Sequence, residues 1–124
     1  MPKTHVVFYQ EEDGSAPVLQ WLDTLPARAQ DKWRIKIERL GELGHELRRP
    51  ESDLLRDGIY ELRVGLQGVN YRILYFFHGR TAAVLAHGLI KERVVPSRQI
   101  ELALTRKRKF EQDSERHTYR ETEP

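Results

Sequence analysis

Arg63, Arg72, His87 and Lys91 are residues of the types that can hold and cut a phosphodiester. The planar fork of arginine grips two phosphate oxygens at once. Histidine takes or gives a proton near neutral pH. Lysine can serve as a base or as a plain cation on the phosphate. Such a set can cleave RNA without a metal: the ribose 2′-hydroxyl loses its proton and attacks the adjacent phosphorus. Charge then builds on the non-bridging oxygens, where cations stabilise it, so positioning and electrostatics supply most of the acceleration. Arg93 and Arg98 extend the cationic stretch toward a bound strand, and Tyr71, like Tyr60, can stack on a base. Taken singly, each has a plainer reading as an exposed arginine, a hydrogen-bonded histidine or a core aromatic.

The elements that must position these residues follow from periodicity. Thr4 to Gln10 reads as a short strand, and a short helix follows from Ala16 to Thr24, with Ser15 as its N-cap. Pro26 opens a longer helix through about Leu47, because Trp33, Ile37, Leu40 and Leu47 recur at helical spacing. Arg49-Pro50 ends it. The pattern then switches to period two. Tyr60, Leu62, Val64 and Leu66 share one face of a strand, with Glu61 and Arg63 on the other. A second strand runs from Asn70 to Phe77 and a third from Thr81 to Leu89. Short connections predict an antiparallel meander. Ser97 to about Phe110 reads as a helix through Ile100, Leu102, Ala103 and Leu104.

This order predicts an α+β domain over residues 1–110: an antiparallel sheet of about four strands, two N-terminal helices and a C-terminal helix. The helices are expected on one face, leaving the other open. On that open face the meander is expected to gather Arg63, Arg72, His87 and Lys91 with no acid nearby, as a phosphate site. Residues 111–124 carry no recurring apolar position and are expected to form a disordered polar tail.

Composition narrows the function classes. The 124 residues carry a net charge of +2, with basic residues dominating between Arg63 and Lys109. A local field of that sign suits a polyanion or an acidic protein partner. With no cysteine, neither disulfides nor thiolate metal sites can form. No phosphate-binding glycine loop, nucleophile elbow or paired histidines at zinc-protease spacing occurs. The acidic run Glu11-Glu12-Asp13 reads as a solvated loop and Arg106 to Lys109 as a solvated helix end. No metal, cofactor, membrane segment or leader peptide is expected, and a cytoplasmic location is.

The segment from Leu54 to Glu92 resembles the sheet region of the phage-derived branch of the RelE/HigB toxin superfamily. The matching residues are Gly58, Tyr60, Glu61, Leu62 and Arg63; Tyr71, Arg72, Ile73, Tyr75 and Phe76; and Leu85, His87, Gly88 and Lys91. Pro96, Ile100 and Ala103 continue the pattern, so the resemblance spans Val6 to about Phe110. It implies a RelE-like fold and the toxin role in a type II toxin–antitoxin system. The activity implied is that of an mRNA interferase cutting in the ribosomal A site. The partner implied is an antitoxin of HigA-like, helix-turn-helix type. The family's functional arginines fall on Arg63 and Arg72, and its basic residue after the last strand on Lys91. The chain departs from the pattern at Glu92, where relatives carry a second lysine, and at Leu89, where many have phenylalanine. It also lacks a tyrosine in the C-terminal helix. Two other functions fit the same residues: a ParE-like inhibitor of DNA gyrase, and a non-catalytic nucleic-acid-binding phage regulatory domain.

Overall fold

The computed structural model describes residues 3–120. Strand β1 (His5–Phe8) is followed by helices α1 (Pro17–Asp23) and α2 (Ala27–Leu43) and a 3-10 turn (Gly44–Glu46). Four more strands come next: β2 (Ser52–Arg56), β3 (Ile59–Leu66), β4 (Val69–His78) and β5 (Ala82–Ile90). Helices α3 (Ser97–Gln112) and α4 (Ser114–His117) complete the order.

The five strands form one sheet in the order β1-β5-β4-β3-β2. The expected meander is present as β3, β4 and β5, but the sheet is mixed and larger than about four strands. β1 joins the edge parallel to β5, with Val6 opposite Ala83 and Phe8 opposite Leu85. A parallel neighbour needs a long connection, which the intervening helices and hairpins provide. The added strand β2 pairs antiparallel with β3 across Asp57-Gly58. Asp57 and Gly58 both have positive φ (52° and 80°), as do Gln67 and Gly68 (51° and 80°) between β3 and β4. Positive φ at both central residues defines the two-residue hairpin whose twist matches that of the strands.

Helices cover both faces, not one. α1 and α2 pack on the first face through Val18, Ala29, Trp33 and Leu40, against Leu62, Val64, Tyr71, Ile73, Tyr75 and Leu85. α2 turns Ala29, Trp33, Ile37 and Leu40 to one side at helical spacing. Trp33 is 1% exposed, and truncating such a core aromatic costs about 3–5 kcal/mol. α3 packs on the second face through Ile100, Ala103 and Phe110, against Ile59, Leu74, Phe76, Val84 and Ala86. The reason is legible in β4 and β5, whose central residues are apolar without alternation and must be buried on both sides. At a corner of the second face, Glu61, Arg63 and Arg72 lie outside the cluster that packs against α3.

The chain beyond residue 110 is ordered as far as it is described. α3 continues to Gln112, α4 follows, and Tyr9 forms a β-bridge with Thr118. Two backbone bonds, Gln10 N–H to His117 O at 2.8 Å and Tyr119 N–H to Phe8 O at 2.8 Å, fasten this segment along β1. His117 is buried against Tyr9, its ring stacked at 5.2 Å. A polar segment is held here by backbone pairing and one stacked ring, so it needs no apolar period. The part of the expected tail at residues 121–124 lies outside the described residues.

Candidate functional site

Strand register settles which side chains meet. Arg63 lies directly opposite Arg72, and Arg72 opposite Leu89. One row along, Glu61 lies opposite Leu74, and Leu74 opposite His87. Residues two apart on a strand share a face, so Glu61, Arg63, Arg72 and Leu74 all stand on the α3 side. A register shift after Leu74 leaves Ala86 unpaired in the β4–β5 ladder. This bulge turns Ala86 and His87 toward the same face. Past the end of β5, Lys91 N–H still donates to Asn70 O at 2.8 Å, which carries its side chain back over the corner.

The corner holds a carboxylate at its centre. Glu61 is 1% exposed. Its Oε1 accepts from Arg63 Nε at 2.9 Å and from Lys91 Nζ at 3.4 Å, while its Oε2 lies 3.5 Å from Arg72 Nε. The expectation of cations with no acid nearby is therefore corrected: three cations surround one buried carboxylate. A buried charge must be paired, and adjacent arginines on a half-covered sheet demand such a partner. The period-two reading had already placed Glu61 beside Arg63, and this desolvation argument is the signal that identifies its role.

The three cations differ in what they have left to offer. Arg63 uses every guanidinium nitrogen within the protein: Nε on Glu61, Nη1 on Pro50 O at 3.4 Å and Nη2 on Asp53 at 3.3 Å. Arg72 donates from Nη1 to Tyr71 O at 2.9 Å, and among the described residues its Nη2 makes no hydrogen bond. Burial pulls the Arg72 pKa below the usual arginine value, with Arg63 adding to that effect and Glu61 opposing it. Among the described residues the Lys91 side chain bonds to Glu61 alone.

His87 is on the same face but in another network. Its Nε2 donates to Gln99 Oε1, and its Nδ1 accepts from Arg106 Nη1 at 3.3 Å. Gln99 and Arg106 are seven residues apart on α3 and so point the same way. Burial lowers the His87 pKa; Arg106 adds to this and the Gln99 hydrogen bond opposes it. Leu74 stands between His87 and Glu61, so the imidazole is not brought into the cation cluster. Arg106 also donates to Ala86 O at 2.7 Å, lies over the Tyr9 ring at 5.7 Å and faces Glu11 at 3.7 Å. Lys109 pairs with Glu12 at 3.2 Å. The basic end of α3 and the early acidic run are thus partners of one another rather than separate solvated runs.

Tyr71 sits elsewhere. It belongs to the first face, is 5% exposed and packs edge-on to Trp21 at 6.3 Å. Strand alternation sends it opposite to Arg72, so it cannot stack on a base bound at the cluster. Arg93 and Arg98, in contrast, are exposed and line one groove with Leu89, Ile90, Glu92, Val94, Pro96 and Gln99, about 430 Å³ in volume. Leu89 is the residue opposite Arg72, and Ile90 and Glu92 flank Lys91, so the groove begins where the cluster ends. The arrangement can bind a phosphate at Arg72 and Lys91 and run a polyanion on past Arg93 and Arg98. Among the described residues no three His, Asp or Glu side chains gather as a metal-binding group, and no helix is long and apolar enough to cross a membrane.

Comparison with curated proteins finds no match. Residues 20–108 match the family described as "Phage derived protein Gp49-like (DUF891)", a span that includes α2, β2 to β5 and most of α3. That span is more than two thirds of the 124-residue chain and contains the whole cation cluster. The chain therefore belongs to the Gp49-like family of phage-derived proteins, a family of RelE/HigB toxin-like type.

Proposed function

We propose that this protein is the toxin of a type II toxin–antitoxin system and acts as a metal-independent endoribonuclease on messenger RNA. The observation that carries this reading is the corner where Arg72 and Lys91 keep donors for a phosphate beside an open groove lined by Arg93 and Arg98. In the proposed reaction the 2′-hydroxyl gives its proton to solvent, a bond forms between the 2′-oxygen and phosphorus, and the bond to the 5′-oxygen breaks. Arg72 stabilises the charge on the non-bridging oxygens. Lys91, an ammonium in reach of the same phosphate, protonates the departing 5′-oxygen. The products are a 2′,3′-cyclic phosphate and a free 5′-hydroxyl.

Arg63 holds the cluster in place, and His87 holds α3 against β5. The groove takes the flanking strand, with ribosome-bound mRNA as substrate. A cytoplasmic, HigA-like antitoxin with a helix-turn-helix domain is the proposed partner; an acidic segment on it suits the same cations. Inducible expression of wild type and Arg72→Ala, with growth followed and mRNA 5′ ends mapped, tests the proposal. Arrest with new mRNA ends, both lost in the variant, is the expected outcome. Arrest without RNA cleavage, persisting in Arg72→Ala, would replace it with gyrase inhibition.

A further inference from the structure

Two guanidinium groups placed directly across a pair of strands repel each other. Arg63 and Arg72 occupy such positions, and Lys91 adds a third positive charge to the same corner. The fold needs a buried negative charge to hold them together, but any such charge also repels an incoming phosphate. We propose that Glu61 is a positioning residue that fixes the orientation of Arg72 and Lys91 while weakening the binding of RNA. This inference rests on the nuclease reading above.

The geometry separates Glu61 from an ordinary structural acid. Its Oε1 is bonded to Arg63 and Lys91 at 2.9 and 3.4 Å. Its Oε2 and the Arg72 Nε are both buried without a hydrogen-bond partner and face each other at 3.5 Å. Arg72 is therefore held on that flank by charge rather than by a hydrogen bond, and among the described residues only its Nη1 is tied, to Tyr71 O at 2.9 Å. The two groups that address the phosphate are both aimed by the one carboxylate. Arg63, already saturated by Glu61, Asp53 and Pro50, completes the frame. Glu61 itself is 1% exposed and so cannot touch substrate. Its influence must pass through the cations.

Replacing the charge but not the shape separates the two effects. Glu61→Gln leaves the corner one charge more positive and its cations less constrained. Binding of a short 2′-O-methyl oligoribonucleotide, which cannot be cut, should tighten by about threefold or more, with a steeper dependence on salt. The kcat for mRNA on programmed ribosomes should fall by about tenfold or more. A merely structural role would lower affinity and kcat together, in step with Tm. That pattern, or an unchanged kcat, would overturn the proposal. Should Glu61→Gln fail to fold, Glu61→Asp keeps the charge and retracts it by one methylene. It should bind the oligonucleotide like wild type yet cut slowly, and wild-type kcat in that variant would also overturn the inference. If wild type cuts no RNA, the nuclease reading fails by itself. Binding by Glu61→Gln then still reads the electrostatic half of the proposal: tighter binding supports it and unchanged binding contradicts it.

Discussion

His87 reaches α3 with both ring nitrogens, and that arrangement carries a pH dependence of stability. Its pKa in the folded protein lies below the ordinary histidine value of 6.5, mainly through burial. As pH falls, the unfolded chain takes up this proton before the folded one does. The stabilisation is therefore present above the ordinary value and is lost as pH drops through it toward the lower folded value. Wild type should lose more Tm between about pH 7.5 and 5.5 than His87→Gln does, because glutamine can still bond Gln99 and Arg106 without titrating. Parallel Tm curves for the two proteins over that window would contradict this account of His87. At this scale period two is enough to put Arg63 and Arg72 on one face, and Lys91 follows directly on the end of β5. The same period puts Glu61 on that face, but its role becomes visible only once burial of the corner is known. Tyr71 was misplaced by chemistry alone: its ring type suits stacking, yet the alternation that puts Arg72 on the second face packs Tyr71 into the first.

Among the elements, the junction of α1 with β5 has little room to spare. Gly88 lies opposite Ile73 on the first face, and a Cβ built there would come within 2.3 Å of the Trp21 ring. Gly88→Ala should destabilise the fold by about 1–3 kcal/mol, the usual cost of forcing an atom into a packed interior. Trp21→Leu in the same chain should recover part of that loss, since the two positions share one contact. Thermal unfolding of the single and double variants checks this, and a Gly88→Ala protein melting with wild type would refute the packing argument. The long helices were legible because their apolar spacing survives without tertiary information. β2 was not, because Ser-Asp-Leu-Leu-Arg shows no alternation and its signal is the Asp57-Gly58 turn that follows. The coverage of both sheet faces was also missed, although Ile73 to Phe77 runs apolar without a break and calls for burial on both sides.

At the scale of the molecule, the fold pairs some basic residues and leaves others open. The acidic residues after β1 neutralise Arg106 and Lys109, and α4 with Thr118 closes the outer edge of β1, where an unpaired strand invites association. Arg93 and Arg98 remain exposed in the groove beside Arg72 and Lys91. In the proposed reading, these two exposed cations draw a polyanion toward the donors of Arg72 and Lys91. No composition argument could locate that corner, because it depends on which basic residues the fold has already paired. The central claim is that RNA is cut there by its own 2′-hydroxyl, and the most direct test is the chemistry of the new ends after cleavage of ribosome-bound mRNA. The account predicts a 2′,3′-cyclic phosphate or its 3′-phosphate hydrolysis product on the upstream fragment and a 5′-hydroxyl on the downstream one. A 3′-hydroxyl with a 5′-phosphate would contradict it, since attack by water in place of the 2′-hydroxyl leaves those ends.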